Sequence, residues 1–594
     1  MSIQKVGNII QFLKEKLTER QFQIFAAVVV GLAAGVMAFI LKTFVHYLQS
    51  LFQTDKFFSP IKSPYMIAFP LLGIVLTVLF VEKILRGQLG KGISDILYEI
   101  AKKSAFVQRH KLYSHIITSS LTVGLGGSAG LEAPIVITGA AVGSNIARSW
   151  NLSYKDRMLL LGCGAAAGIA AVFNSPIAGV MFAMEVLLTD VAFSAFIPLI
   201  IAAAVGALFS KIVFNEDALF FFRLTDSFNY LNIPYYILLA VVCGFISLYY
   251  IRVAHHINKL FKKLDVSPFT KALIGGVFLA GMIYFLPSLF GEGYASTKII
   301  AAGQSELLLK NSLFSEYRFQ KWAIVAFVAA IVIIKPIATT VTLASGGNGG
   351  NFAPSLFVGA HLGFVFSRII NNLGFSHHLP EGNFSIVAMA GILSGVMYAP
   401  LTGIFLIAEV TGGYELIIPL MIVSTLTNAM VRHFEPVSLE TKNMIERGEV
   451  FSSDKDRNIL ILLNTSNVIE TDFKTIPITA SLGDIVNVIK TSNRNLFAVT
   501  DNEGKFEGIL TLDDVREVMF DTKLYSKLFA EKFLKMPPEI IQLNEDMSEV
   551  MKKFDRTNAW NLPVVDLEDK YVGFISKSNI FSNYREQLKT MGDE

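Results

Sequence analysis

The sequence predicts an all-α polytopic membrane unit made of two repeated halves with broken helices, followed by a separate α/β unit. Three observations carry this. Hydrophobic residues make up 53% and charged residues 17% of 594 positions, with a mean hydropathy of +0.52, too apolar for an ordinary soluble multidomain protein. Apolar runs recur from Phe22 to about Val431, and four landmarks among them, two prolines, a glycine and a glutamate, occur twice in the same order. After about Glu435 charges become frequent, which marks a change of solvent.

The elements follow in chain order. Residues 1–21 set Ile9, Ile10, Phe12, Leu13 and Leu17 among lysines and glutamates, the pattern of an amphipathic N-terminal helix rather than a cleavable signal. The membrane unit covers 22–434, with halves of about 22–214 and 233–434. Its apolar runs are roughly 22–46, 65–85, 113–149, 157–188, 193–214, 233–254, 270–290, 322–343, 352–370, 384–410 and 414–431. Several reach the roughly 20 residues a spanning helix needs. Others are short or broken by Gly and Pro, which membrane depth tolerates only against protein or a wet cavity. The basic links 102–111 and 252–263 read as cytoplasmic loops. Residues 435–466, including "SSDKDRN", read as a linker.

Composition also excludes function classes. A net charge of +3 gives no suggestion of nucleic acid as a partner. Cys163 and Cys243 lie in apolar segments and read as small hydrophobes, so neither a disulfide framework nor a metal site is expected. No His/Glu metal spacing or nucleophile–base motif stands out, so an enzyme is not expected.

The repeat is specific. "NSPIAGVMFAMEV" places Gly179 three residues and Glu185 nine residues after Pro176, and "YAPLTGIFLIAEV" repeats both offsets with Pro400, Gly403 and Glu409. "LEAP", ending at Pro134, and "NFAP", ending at Pro354, precede these prolines by 42 and 46 residues. Internal repeats with interrupted helices at matching positions point to a transporter whose site lies where the broken helices meet.

A helix that starts inside the membrane presents unpaired N–H groups and the positive end of its dipole, a ready site for an anion. "SGGNGGNFAP" (345–354) supplies glycines and then a proline suited to a helix start. "GGSAGLEAP" (126–134) is its counterpart, but it carries its own anion, Glu132. A carboxylate placed where an anion binds can block that place and leave it when protonated, which makes Glu132 a gate candidate. The alternatives are that it caps its own helix or pairs with a distant lysine.

These motifs resemble those of the CLC chloride channel and transporter family across essentially the whole chain. "GLEAP" (130–134) resembles the family's GxEGP segment, "GGNFAP" (349–354) resembles GGxFxP, and residues 164–186 resemble the helix that follows the first motif. The resemblance implies two halves of inverted topology and a homodimer with one ion path per subunit in the cell (plasma or inner) membrane, with cytoplasmic N- and C-termini. It implies Glu132 as gating glutamate and an anion held near Gly130, Leu131, Ala133, Asn351, Phe352 and Ala353, chiefly by the amides of Asn351 and Phe352.

Departures from the family pattern are equally informative. The family's GSGIP stands here as "GKGIS" (90–94), with Lys91 in place of an ion-facing serine, and Glu440 falls where a tyrosine usually completes the central site. Lys91 and Glu440 pair across an inner vestibule, or Lys91 attracts anions while Glu440 turns away, or both sit in the wet cytoplasmic mouth. Proton-coupled members commonly carry a glutamate at the position of Val186, so the usual internal proton relay is absent here. The neighbouring Glu185 and its repeat partner Glu409 suggest a structural role shared by both halves. Leu131 replaces a basic residue often found before the gating glutamate, lowering the positive potential there.

In the C-terminal part, "FAVTDNEGKFEGILTLDDV" (497–515) and "LPVVDLEDKYVGFISKSNI" (562–580) each run strand, acidic turn, strand and helix start. They resemble a tandem pair of CBS domains, about 467–523 and 533–590. In that family an adenine nucleotide can sit between the repeats. Thr511 and Asp514 fit the ribose-binding pattern, whereas Ser576 is followed at the matching place by Asn579. A stabilising, dimerising module without ligand is the equal alternative.

The resulting expectation is a gate- or voltage-controlled chloride channel that conducts inorganic anions passively and requires no cofactor, with nucleotide regulation at the CBS pair as an option. The alternative is a chloride/proton antiporter lacking the usual internal glutamate. A CBS-regulated cation or solute transporter fits less well, because the membrane part has few, scattered acids to hold a cation.

Overall fold

A computed structural model gives the architecture and describes residues 12, 14–52, 67–90, 92–102, 104–188, 195–214, 227–310, 312–374, 378–445, 465, 468–545, 547–583 and 585. Ile9, Ile10, Leu13 and Lys91 lie outside the described residues. The chain divides into two compact units, Met1–Arg447 and Gly448–Glu594.

The first half of the first unit carries α1 (Glu19–Phe52), α2 (Ala68–Lys83), α3 (Ile93–Lys102), α4 (Lys111–Gly124), α5 (Glu132–Ser149), α6 (Tyr154–Phe173), α7 (Pro176–Phe182) and α8 (Phe196–Phe214). The second half carries α9 (Ile233–Lys263), α10 (Pro268–Phe285), α11 (Tyr294–Ala301), α12 (Glu306–Lys310), α13 (Lys321–Ala344), α14 (Phe352–Asn372), α15 (Glu381–Met397), α16 (Pro400–Val410) and α17 (Ile417–Phe434). Among the described residues eight helices are long and apolar enough to cross a membrane.

The helix breaks follow from local chemistry. The apolar run 113–149 is one stretch by composition but two helices, because Gly126 adopts φ +98. A side chain there would meet the Phe290 ring 2.1 Å from its Cβ, so the turn needs glycine. The run 384–410 divides likewise. Tyr398 is left-handed at φ 59, as is Asn174 at φ 54, and each ends a helix two residues before the proline that starts the next.

The halves also pack alike. Gly139 and Gly143 face α6, where a Cβ on Gly143 would lie 1.8 Å from the Leu160 carbonyl oxygen. Gly359 and Gly363 face α15, where a Cβ on Gly363 would lie 2.2 Å from the Phe384 carbonyl oxygen. Both are small-xxx-small pairs that let membrane helices touch through their backbones.

Glu185 and Glu409 join the halves by exchanging caps. Glu185 accepts from the Leu401 and Thr402 amides, each at 2.8 Å, and from the Thr402 hydroxyl at 2.7 Å, at the start of α16. Glu409 accepts from the Ile177 amide at 3.0 Å and the Ala178 amide at 2.9 Å, at the start of α7. Each carboxylate thus satisfies orphan amides of the other repeat and complements its helix dipole.

Part of the stretch read as linker is helical. α18 (Leu439–Ile445) belongs to the first unit, with Leu439 buried in its core.

The second unit contains β1 (Thr475–Pro477), α19 (Leu482–Lys490), β2 (Leu496–Thr500), β3 (Phe506–Thr511), α20 (Leu512–Val515), β4 (Ile541–Gln542), α21 (Met547–Thr557), β5 (Asn561–Val565) and β6 (Tyr571–Ser576). Each of its two sheets pairs a first strand parallel to the second and the second antiparallel to the third. The strand, acidic turn, strand and helix start read from 497–515 recur as β2, β3 and α20.

Candidate anion pathway

Two broken-helix ends meet at the centre of the membrane unit. The loops before α5 and α14 are tied to each other by a reciprocal pair of bonds: the Gly130 amide donates to the Gly350 carbonyl at 3.0 Å, and the Gly350 amide to the Gly130 carbonyl at 2.9 Å. Neighbouring helices hold both loops. Asn348 donates its amide to the Thr122 hydroxyl at 3.0 Å and its side-chain amide to the Thr118 hydroxyl at 2.7 Å. Lys335, fully buried on α13, donates to the Ser128 hydroxyl at 2.8 Å and to the Gly291 carbonyl at 3.0 Å.

Glu132 is the first residue of α5 and is 1% exposed. Its side chain reaches across to the other half: Oε2 accepts from the Ala353 amide at 3.3 Å and Oε1 from the Tyr294 hydroxyl. The carboxylate therefore sits on the first turn of α14, where orphan N–H groups and the helix dipole favour negative charge. It also accepts from its own backbone amide at the start of α5, so it serves both helix ends, and no lysine is among its partners in the described residues. Asn351 and Phe352 start that same turn, and Phe352 is held by the rings of Phe173 and Phe182 at 5.6 and 6.1 Å.

A cavity of about 550 Å3 reaches these helix ends, and its lining includes Ala133, Gly350, Asn351 and Glu440. Glu440, on α18, is half-buried. It accepts from the amide and hydroxyl of Ser94 in the first turn of α3 and from the Asn351 side chain. Asn351 in turn accepts from the Tyr250 hydroxyl at 3.3 Å.

Of the residues singled out by sequence, Glu132, Ala133, Asn351, Phe352, Ala353 and Glu440 converge on this region. Gly130 and Leu131 are present, but their amides are committed, to Gly350 and to Glu292 respectively. They shape the loop rather than offer N–H groups to an anion. Val186 lies in a π-helical turn, Ala183–Leu187, packed against the core beside the capping Glu185. Sequence reasoning missed Tyr294, Glu292, Lys335 and Tyr250. Lys335 was visible as a lone charge in "AIVIIKPIATT" and Glu292 as one in "FGEGY".

In the second unit the expected ribose-binding side chains bond within the chain. The Thr511 amide and hydroxyl donate to Asp514 at 2.9 and 2.8 Å, and Lys535 pairs with the same carboxylate. Burial pushes the Asp514 carboxyl up, but the bonds from Lys535 and Thr511 outweigh that and hold it below the usual carboxylate range. The Ser576 hydroxyl donates to Glu470, and Asn579 donates to the Val468 carbonyl at 3.0 Å.

Comparison with known proteins accords with this geometry. The family model described as voltage gated chloride channel matches residues 73–432, and the CBS domain model matches 466–521 and 531–586. A chloride channel protein CLC-e of Arabidopsis thaliana is 25% identical over 563 residues, 84% of this chain and 76% of its own length. An H(+)/Cl(-) exchange transporter ClcA of Klebsiella pneumoniae is 28% identical over 414 residues, 67% of this chain and 83% of its own. Among solved structures, a slow cyanobacterial Cl-/H+ antiporter superposes with a TM-score of 0.61 at 19% identity, covering 73% of this chain and 99% of its own. The matched model spans most of the chain, and the repeated Pro, Gly and Glu landmarks and Glu132 fall within it. The chain therefore belongs to the CLC family of chloride channels and transporters, with a pair of CBS domains behind its membrane unit.

Proposed function

We propose that this chloride-transporting membrane protein works as a passive channel gated by Glu132. The observation that carries the reading is the seat of the Glu132 carboxylate on the Ala353 amide, where it competes with a permeating anion. Protonation or movement of that side chain frees the amide, and the cavity beyond Asn351 supplies the other end of the path. Valine at position 186 favours a channel, since it offers no proton acceptor beside Glu185. A second reading, chloride/proton antiport, is favoured by the cavity carboxylate Glu440, which stands on the path as another acid. Lys91 and Glu440 remain proposed anion-path residues, paired or facing the cavity separately.

Partners and placement extend the same reading. Cytoplasmic termini fit the basic end of α9, at Lys262 and Lys263, and a homodimer in the cell membrane is proposed with them on family membership. At the CBS pair, adenine nucleotide binding requires Lys535 and Glu470 to release Asp514 and Ser576.

The test is chloride efflux from liposomes. Glu132→Gln is expected to raise efflux and to remove the pH dependence that Glu132 confers. A folded Glu132→Gln protein with no more efflux than the parent chain at every pH between 4.5 and 8.5 rules the gate out.

A further inference from the structure

We propose that Glu440 is a second gate, at the cavity end of the path, which admits an anion when its carboxylate binds a proton. The inference rests on the anion-path reading above and adds a separate titratable element to it.

Two helix starts converge on this one side chain. The Ser94 amide and hydroxyl reach it from the first turn of α3, and the Asn351 side chain reaches it from the first turn of α14. Its Oε2 lies 3.2 Å from the place a Cβ on Gly92 would occupy, so the carboxylate is pressed against the loop before α3. Glu440 and Asn351 line the cavity together with Gly92 and Gly350, and Ser94 lies buried behind the carboxylate. An anion moving from the cavity towards the first turn of α14 meets this carboxylate first. With Glu440 ionised the donors are occupied and a second negative charge is repelled. With Glu440 protonated the charge is gone and the donors serve the anion instead. It lines the cavity and is only partly buried, so protons entering the cavity reach it.

The charged surroundings come from every packed element. On α3, Asp95 and Glu99 face Lys111 of α4 at 3.9 and 3.1 Å. Asp95 adds like charge near Glu440, and the Tyr250 hydroxyl of α9 lies within its field. On α18 itself Lys442 pairs with Glu435 at 2.9 Å. α15 carries only Glu381, paired with Arg368. Glu82 of α2, Lys262 of α9 and Lys271 of α10 line the same cavity. Lys91, next to Gly92, lies outside the described residues.

The two acids are separable because Glu132 faces Tyr294 and Ala353 whereas Glu440 faces Ser94 and Asn351. The full chain carrying Glu132→Gln, reconstituted in liposomes, is assayed for chloride efflux between pH 4.5 and 8.5 with equal pH on both sides. It is expected to lose efflux at least tenfold as pH rises. Glu132→Gln/Glu440→Gln is expected to be nearly flat and fast at pH 8.5. An unchanged pH profile in the double variant, or a flat profile already in Glu132→Gln, overturns the second gate while leaving the anion path standing. Absence of efflux at every pH in Glu132→Gln overturns the path and the gate together. If Glu440→Gln does not fold, proton uptake on adding chloride to purified Glu132→Gln protein in weak buffer decides. Uptake approaching one proton per chloride bound supports the gate, and binding without uptake overturns it.

Discussion

Gly130→Ala offers a way to disturb the gate without touching its acid. A Cβ at Gly130 would lie 2.2 Å from Oε2 of Glu132 and 3.0 Å from the Cβ of Ala353. An ordinary C···O contact is about 3.3 Å, so the carboxylate, as the flexible partner, has to retreat by about 1 Å. Its bond to the Ala353 amide is already 3.3 Å long and does not survive that retreat. A hydrogen bond to a charged group contributes about 1.5–3 kcal/mol, so its loss shifts the seated-to-unseated ratio roughly ten- to a hundredfold. Chloride efflux from liposomes at fixed pH reads the shift, with Glu132→Gln as the ceiling. Gly130→Ala is expected to raise efflux, and the double variant Gly130→Ala/Glu132→Gln is expected to match Glu132→Gln alone. Wild-type efflux in folded Gly130→Ala refutes the reasoning. A double variant slower than Glu132→Gln also refutes it, since the methyl group would then obstruct the path itself.

Three further outcomes follow from the fold. Gly143→Ala drives a methyl into the Leu160 carbonyl and is expected to lower detergent-solubilised thermal stability by about 3 kcal/mol or more. Gly281→Ala on α10, where a Cβ meets nothing within 4 Å, is the neutral control. Glu185→Ala strands three donors and is expected to cost about 3 kcal/mol, and Glu409→Ala, stranding two, about 2 kcal/mol. Equal losses in thermal unfolding contradict the exchanged caps. Asp514 is held below its ordinary range, so its pairing adds stability above the unfolded value and loses it as pH falls through the lower folded one. Because Lys535 is largely exposed, Lys535→Met is expected to cost under about 1 kcal/mol at pH 7 and nothing in strong acid. Hydrogen exchange of β3 and α20 in the full chain reads the difference.

Much of this arrangement was legible because it is local. Prolines 134, 176, 354 and 400 mark where helices restart, and the matched Glu185 and Glu409 already suggested a shared structural role. That each caps the other half was not legible, since spacing reports repetition and not which repeat supplies the partner. Tyr294 escaped for a related reason: it reaches Glu132 across 162 positions, and no periodicity encodes such a contact. Gly130 and Leu131 looked like anion-binding loop residues, yet the bond between the halves and Glu292 take up their amides. The charged stretch after Glu435 read as linker. Leu439 nevertheless draws a short helix back onto the core and places Glu440 on the cavity.

The reversal potential of current through the reconstituted protein tests the central claim most directly. A tenfold chloride gradient at equal pH is expected to set it near the chloride equilibrium value, about 59 mV for one charge. Superimposing a pH gradient is expected to change the size of the current, through Glu132 and Glu440, but not the voltage at which it reverses. A reversal potential that moves with the proton gradient at fixed chloride contradicts passive conduction and establishes exchange.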